Sequence, residues 1–260
     1  MYNLLIAIGS AIVAFFLGFF VSGWIAGFVP ALLALVGVYL LLARRTQHQL
    51  EARLAGVMPA MQAGKLDDVR ATLRACLPLG RWQFLVTSQI ESQLGQVDYL
   101  DAIRLKMMKQ AQNAQARFAD ARSHLEKAWS RDWRAQAVLA AIHQREGRVD
   151  DALKVLVAAK GPAKAEAIFW ALYAWTLNEA RRRDEALQVL GEGLKANPKS
   201  KGLLGMQDAL SNKRRPVMSE FGEAWYTFFP EDIPREQMME MAQQQSPARR
   251  SPKAYPMPRR

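Results

Sequence analysis

The first 43 residues of this chain carry no charged side chain, and the next two are Arg44 and Arg45. All 35 Lys and Arg residues and all 24 Asp and Glu residues lie after this boundary. One helical membrane span needs about 20 apolar residues, and the run from Leu4 to Ala43 has room for two. The sequence therefore predicts a membrane anchor followed by a charged body.

Small residues interrupt the apolar run near its middle, at Ser22, Gly23 and Gly27, with Trp24 between them. Glycine permits a tight reversal, and tryptophan prefers the membrane–water boundary. We therefore expect a helical hairpin with spans over about residues 3–21 and 25–43. A cleaved signal peptide is the alternative, but that would have a basic start and a shorter apolar core of about 7–15 residues.

The charge boundary also predicts the orientation. Basic residues that flank a span favour the cytoplasmic side, and Arg44 follows the second span directly. Two crossings return the start of the chain to the same side. We therefore expect a two-pass protein of the inner (plasma) membrane, with both termini and the body cytoplasmic and with membrane lipid as a partner.

The body is basic, since the whole formal net charge of +11 lies in it. Such a surface attracts anionic lipid or nucleic acid. Lipid is the favoured explanation, because the basic residues are scattered and the basic tail has one aromatic residue, Tyr255, and no stacking platform for bases. Cys76 is the only cysteine, so no intrachain disulfide forms, and its apolar helical surroundings predict a buried core residue.

Two segments of the body repeat one pattern, residues 147–156 and residues 182–190, and Ala152 aligns with Ala186 at a spacing of 34 residues. Trp170 and Pro198 occupy an early aromatic position and a closing proline position around the second copy. The pattern resembles the tetratricopeptide repeat, whose unit is a helix–turn–helix of 34 residues. This resemblance implies an α-solenoid over roughly residues 50–200.

Turn signals extend the pattern upstream. Gly64 and Gly147 each precede an acidic pair, Asp67-Asp68 and Asp150-Asp151, and Gly95-Gln-Val-Asp is a weaker copy. Glycine can end one helix in the left-handed conformation, and the acids suit the start of the next by accepting N–H bonds and facing its positive end. Between the copies, an apolar stripe over residues 97–130 predicts one long helix or two nearly collinear helices. That stripe is core packing or the seam of a coiled-coil dimer, and core packing is favoured because several positions are alanine.

The end of the chain differs from the repeats. Residues 201–213 are expected to form a capping helix, and the aromatic stretch 221–229 is expected to dock on the last helices or on a partner. Residues 246–260, rich in proline and basic side chains, predict a disordered tail. The chain is thus predicted to be all-α, with four regions: a transmembrane hairpin (1–45), a tetratricopeptide-like solenoid (46–212), an aromatic docking segment (213–245) and a disordered basic tail (246–260).

No constellation of catalytic or ligand-binding residues is evident. The histidines, His48, His124 and His143, have no metal-ligand spacing, and the paired aspartates have a capping explanation. No glycine-rich phosphate loop or nucleophile elbow occurs. We therefore predict a protein that is not an enzyme and that binds no metal or cofactor.

Recognition remains, and the resemblance implies where it occurs. Tetratricopeptide solenoids bind peptides or helices in a groove lined by the first helix of each unit. The matched positions that face such a groove include Arg134 and Gln144 in one unit and Trp175 and Asn178 in the next. Trp175 is either an aromatic anchor for a partner or a packing residue between helices.

The favoured function is a membrane-anchored scaffold or adaptor that binds a protein partner through the solenoid groove. The alternative is a structural subunit of a larger membrane complex for secretion, motility or envelope assembly, packed through its transmembrane hairpin. The overall plan also resembles the two-span tetratricopeptide membrane proteins that accompany haem biosynthesis in bacteria, and no function is inferred from that resemblance.

Overall fold

The computed structural model describes residues 1–83 and 85–234 of the chain. Those residues form twelve α-helices and a few 3₁₀ turns, and they contain no β-strand. The predicted all-α architecture is confirmed for this part of the chain. The predicted basic tail, residues 246–260, lies outside the described residues.

Two apolar helices form an N-terminal hairpin, α1 over Tyr2–Ser22 and α2 over Trp24–Leu54. The chain reverses at Gly23, whose φ of +84° lies in the region that favours glycine. A Cβ added to Gly27 would lie 2.7 Å from the carbonyl oxygen of Phe15, so glycine there lets the helices touch. Both helices are long and apolar enough to cross a membrane.

The second helix is longer than predicted. The sequence predicts an end near residue 43, but the helix continues past Arg44 and Arg45 to Leu54. The charge boundary contains no helix-breaking residue, since arginine, glutamine and leucine are all good helix formers. Leu50, near the end of this helix, is buried in the same hydrophobic cluster as Cys76, which is itself a core residue as predicted. The helix therefore joins the hairpin directly to the first part of the body.

The body is a stack of antiparallel helix pairs. Its helices are α3 (Val57–Gln62), α4 (Leu66–Cys76), α5 (Val86–Met107), α6 (Ala111–Leu125), α7 (Trp133–Arg145), α8 (Val149–Ala159), α9 (Ala167–Glu179), α10 (Arg183–Ala196) and α11 (Lys201–Ser211). The second helix of each pair contacts the first helix of the next, and the first helices α5, α7, α9 and α11 contact one another in order. This arrangement is an α-solenoid in which α11 is the terminal helix.

Residues 97–130 form neither one long helix nor two collinear ones, and that prediction is wrong. Helices α5 and α6 pack antiparallel, and the chain turns between them at Lys109, which has a φ of +62°. Gly95 lies inside α5, where an added Cβ would be 2.5 Å from Cγ of Leu125 on α6. Gly95 is therefore a close-packing position rather than the turn that its sequence suggested.

A buried group of charges joins the three helices α4, α5 and α6. Arg70 donates through Nε to Oδ1 of Asp98 at 2.6 Å and through Nη2 to Asp101. Arg117 of α6 approaches Asp101 at 3.5 Å. Arg70 and Asp98 are both buried. A charge is tolerated inside a protein when it is paired, and these ion pairs connect α4, α5 and α6.

The predicted glycine turns are confirmed at Gly64 and Gly147, with φ values of +70° and +74°. Arg181, with φ of +60°, takes the same conformation before α10. The aspartates that follow lie in the first turns of α4 and α8, but no side chain there accepts an N-cap hydrogen bond. They stabilise the helix start through their charge, and the predicted N–H bonds are absent from those two helices.

Candidate interaction groove

The first helices of the pairs form one face of the solenoid. Helices α7 and α9 run in the same direction on this face. Their N-terminal ends lie together, as shown by the rings of Trp133 and Phe169, whose centroids are 6.4 Å apart. Small side chains, Ala137 and Ala171 among them, are fully buried along the two helices. The C-terminal ends of both helices therefore lie side by side, which brings Gln144 and Arg145 of α7 near Trp175 of α9.

The chain covers this face with its own C-terminal part. We call residues 218–233 the docked segment; it contains the short helix α12 (Glu223–Tyr226) between two 3₁₀ turns. Trp225 is fully buried, stacks on Phe229 at 4.6 Å and donates through Nε1 to Asp232 at 2.9 Å. The ring of Trp175 packs on both, at 5.4 Å from Trp225 and 4.8 Å from Phe229. Of the two predicted docking places for the aromatic stretch, the chain's own helices are the one observed.

Arg145 makes the polar contacts to the docked segment. Its guanidinium donates to both carboxylate oxygens of Glu231, with Nη2 at 2.8 Å from Oε2, and to the carbonyl oxygen of Phe228 at 3.2 Å. Its Nε donates to Oη of Tyr99 at 3.1 Å, and the Tyr99 hydroxyl donates in turn to the Phe228 carbonyl. The guanidinium carbon also lies 5.0 Å from the ring centroid of Phe229. One arginine thus binds a carboxylate, a backbone carbonyl and an aromatic ring of the segment.

The pKa values at this contact follow from burial and from Arg145. Burial raises the pKa of the Tyr99 hydroxyl to about 12, because the phenolate loses its hydration while Arg145 compensates only in part. Burial also acts to raise the pKa of Glu231, but the hydrogen bond and charge of Arg145 outweigh it and hold the pKa below its ordinary value. At neutral pH Tyr99 is therefore a neutral phenol, which can donate to the Phe228 carbonyl, and Glu231 is a carboxylate, which can accept from Arg145.

An open cavity of about 530 Å³ remains between the first-helix face and the docked segment. Gln144, Arg145 and Trp175 line one side, and the other side is lined by residues from the connecting stretch and the segment: Arg215, Pro216, Met218, Ser219, Trp225, Tyr226, Phe229, Glu231 and Asp232. In the part of the chain that the structure describes, the buried Oε1 of Gln144 has no hydrogen-bond partner. We call this cavity and its two walls the composite groove.

The structure brings three of the four predicted groove residues to one end of the face. Gln144 and Trp175 line the cavity, and Asn178 is half-buried one turn beyond Trp175. Arg134 lies apart, exposed at the opposite end of α7, with its guanidinium carbon 5.3 Å from the ring centroid of Trp133. Their role in partner binding stays a prediction.

Sequence reasoning missed Arg145, which makes most of the polar contacts. The sequence holds one weak indication of its position. Arg145 follows Ala137 and Ala141 at spacings of four residues, so all three lie on the same face of α7. Its partner Glu231 is 86 residues away, and no local pattern links the two.

The other reactive side chains lie elsewhere. His143 is buried on α7 as predicted, and burial together with the charge of Arg148 lowers its pKa. His124 pairs with Glu91 at 2.5 Å between α6 and α5. Burial raises the pKa of the Cys76 thiol. Across residues 1–83 and 85–234, no three His, Cys, Asp or Glu side chains are grouped as a metal site would require.

No protein-family model matches the chain. No curated protein matches it either. Among solved structures, one described as "MamA RS-1 ArsTM double mutant" aligns with 71% of this chain and 97% of its own, at 14% sequence identity and a TM-score of 0.42. A TM-score this low does not establish a shared fold. The evidence for the helical-pair architecture is therefore the contacts between the helices described above.

Proposed function

We propose that this chain is a non-enzymatic, membrane-anchored scaffold that binds a protein partner at the composite groove. The observation that carries the proposal is the docked segment, an irregular polypeptide held on the first-helix face by aromatic, backbone and carboxylate contacts. A face that binds one such segment has the chemistry to bind polypeptide, and the open cavity beside it leaves Gln144 and part of Trp175 available.

The composite groove offers both apolar and polar contacts. Trp175 and Met218 supply apolar surface, whereas Arg215, Glu231 and Asp232 supply charges of both signs. The unpaired Oε1 of Gln144 is buried, so the Gln144 side chain would turn towards the cavity before it accepted a backbone N–H of a bound chain. Trp175 and Asn178 are proposed to contact the partner at this end, and Arg134 to contact any part of it that extends along α7.

The hairpin is proposed to span the membrane with both termini and the body on the cytoplasmic side. Its outward side chains, such as Phe16, Leu17 and Leu33, are apolar and exposed, which suits lipid. Protease added to sealed, right-side-out cells is expected to leave the body intact. Digestion of the body from outside would contradict this orientation.

Site-specific photocrosslinking in native membranes tests the groove. A photoreactive residue at Ser219, which lines the cavity, is expected to capture a partner, whereas one at exposed Val157 on the second-helix α8 is the matched control. The Gln144→Ala substitution should weaken the Ser219 adduct. Equal adducts at both positions, unchanged by Gln144→Ala, would contradict the groove assignment.

Purification in mild detergent separates this function from the alternative. If the chain is a scaffold, its partner should co-purify with the wild type and be lost in the Gln144→Ala variant, and no other membrane subunit should co-purify with the hairpin. A stoichiometric membrane complex that survives Gln144→Ala would instead favour a structural subunit packed through α1 and α2.

A further inference from the structure

The turn that joins α4 to α5 contacts the start of the hairpin. The backbone N–H of Asn3 donates to the carbonyl oxygen of Trp82 at 3.2 Å, and the rings of Tyr2 and Trp82 meet edge-on with centroids 5.3 Å apart. Asn3 also donates through Nδ2 to Oγ1 of Thr46 on α2 at 3.0 Å, and both residues are buried. These bonds connect the start of α1, the second half of α2 and the α4–α5 turn at the same level along the hairpin axis.

That level is the boundary between the apolar hairpin and the charged body. Asn3 directly precedes the apolar run of α1, and Thr46 directly follows Arg44 and Arg45 on α2. Because Trp82 is bonded to Asn3, its ring lies at the same level as the ends of both apolar runs. A bilayer that covers those runs has its headgroup layer here.

The side chains at this level have the composition of an interfacial surface. Trp82 is 44% exposed, Tyr2 is exposed beside it, and Leu85, three residues after Trp82 in the chain, is exposed as well. Arg45 lines a small cavity together with Asn3 and Trp82, and Arg81 is exposed next to Trp82 in the chain. Tryptophan and tyrosine are enriched at membrane–water interfaces, and arginine is attracted to anionic headgroups.

We propose that Tyr2, Arg81, Trp82 and Leu85, here called the interfacial patch, lie in the headgroup layer of the bilayer that holds the hairpin. This inference rests on the proposed insertion of α1 and α2. Trp82 and Leu85 place their apolar surfaces at the boundary between acyl chains and headgroups, and Arg81 faces anionic lipid. The patch is a third membrane contact, additional to the two spans, and it fixes how the body is rotated against the membrane surface.

A fluorescent label at Leu85 tests the patch in the full-length chain. Cys76 is the only cysteine and is buried, so Cys76→Ala gives a background in which single cysteines can be introduced. Leu85→Cys reports on the patch, where Leu85 is 37% exposed, and Leu204→Cys on α11, where Leu204 is 48% exposed, is the matched control. Leu33→Cys in α2 reports on insertion. The labelled proteins are reconstituted in vesicles of phosphatidylcholine and phosphatidylglycerol, and circular dichroism checks their folding.

The expected result is that lipid-borne bromine quenches the label at residue 85 and aqueous iodide does not, while the label at residue 204 shows the reverse. Trp82→Ala should restore iodide quenching at residue 85. If residue 33 is quenched from the lipid but residue 85 behaves like residue 204, the patch is overturned while the hairpin stands. If residue 33 is not quenched from the lipid, membrane insertion itself is overturned, and the patch with it.

Discussion

Replacing Trp225 by alanine tests whether the docked segment belongs to the folded body. Trp225 is 0% exposed and contacts Trp175, Phe229 and Asp232. Truncating a buried tryptophan to alanine costs about 3–5 kcal/mol of folding free energy. In a domain of this size, that loss lowers the thermal midpoint by about 6–20 °C. Trp129→Ala, at a tryptophan that is 43% exposed, is the control and should cost about 1 kcal/mol or less.

A double-mutant cycle then locates the effect in the groove. Trp175 packs on Trp225 and Phe229, so once Trp225 is truncated Trp175 has less contact to lose. The double variant Trp175→Ala/Trp225→Ala should therefore cost less than the sum of the two single variants, by about 0.5–3 kcal/mol. The stability of the wild type, the two single variants and the double variant is measured by thermal unfolding in detergent, monitored by circular dichroism. If Trp225→Ala matches Trp129→Ala and the two single effects add, the segment is not docked and the composite groove does not exist.

Three further predictions concern the body and are measured by urea unfolding. Arg70→Met removes the guanidinium that donates to the buried Asp98 and leaves Arg117, 3.9 Å away, as the nearest arginine, so it should cost about 3–5 kcal/mol, whereas Arg74→Met on the exposed face of the same helix should cost little. Gly147→Ala places a Cβ at a φ of +74° and should cost about 1–2 kcal/mol, and Gly161→Ala, which meets open space, is its control. Because the pKa of His143 is lowered in the folded chain, the unfolded chain takes up this proton first as the pH falls. The free energy of unfolding should therefore fall as the pH is lowered from about 7 through about 6.5, and His143→Gln should flatten that slope.

The sequence predicted those features that depend on local chemistry. The absence of charge before Arg44 predicted the hairpin, and Gly64 and Gly147 marked turns because their left-handed conformation is one that glycine favours. No local signal marks the turn between α5 and α6, because Lys109 takes that conformation without glycine or proline nearby. Packing of the two helices against each other stabilises a turn that no local residue signals.

The groove was predictable in part. The repeat phase placed Gln144 and Trp175 on one face, since a helical period alone determines which residues share a face. It could not show that Trp175 would be covered by Trp225 and Phe229, because that contact joins residues about 50 apart through a segment with no repeat pattern. Long-range pairing, like that of Arg145 with Glu231, depends on the whole fold.

Helix α2 has a mechanical consequence for the proposed scaffold. It is 31 residues long, which at 1.5 Å per residue is about 46 Å, and it passes without a break from the hairpin into the hydrophobic cluster that contains Cys76. A flexible linker would let the body sample many heights and orientations above the bilayer. A continuous helix instead transmits any tilt of the hairpin, such as one caused by a thicker or thinner bilayer, to the first helix pair of the body. For the proposed scaffold, the height of the bound partner above the bilayer would therefore follow the tilt of the hairpin.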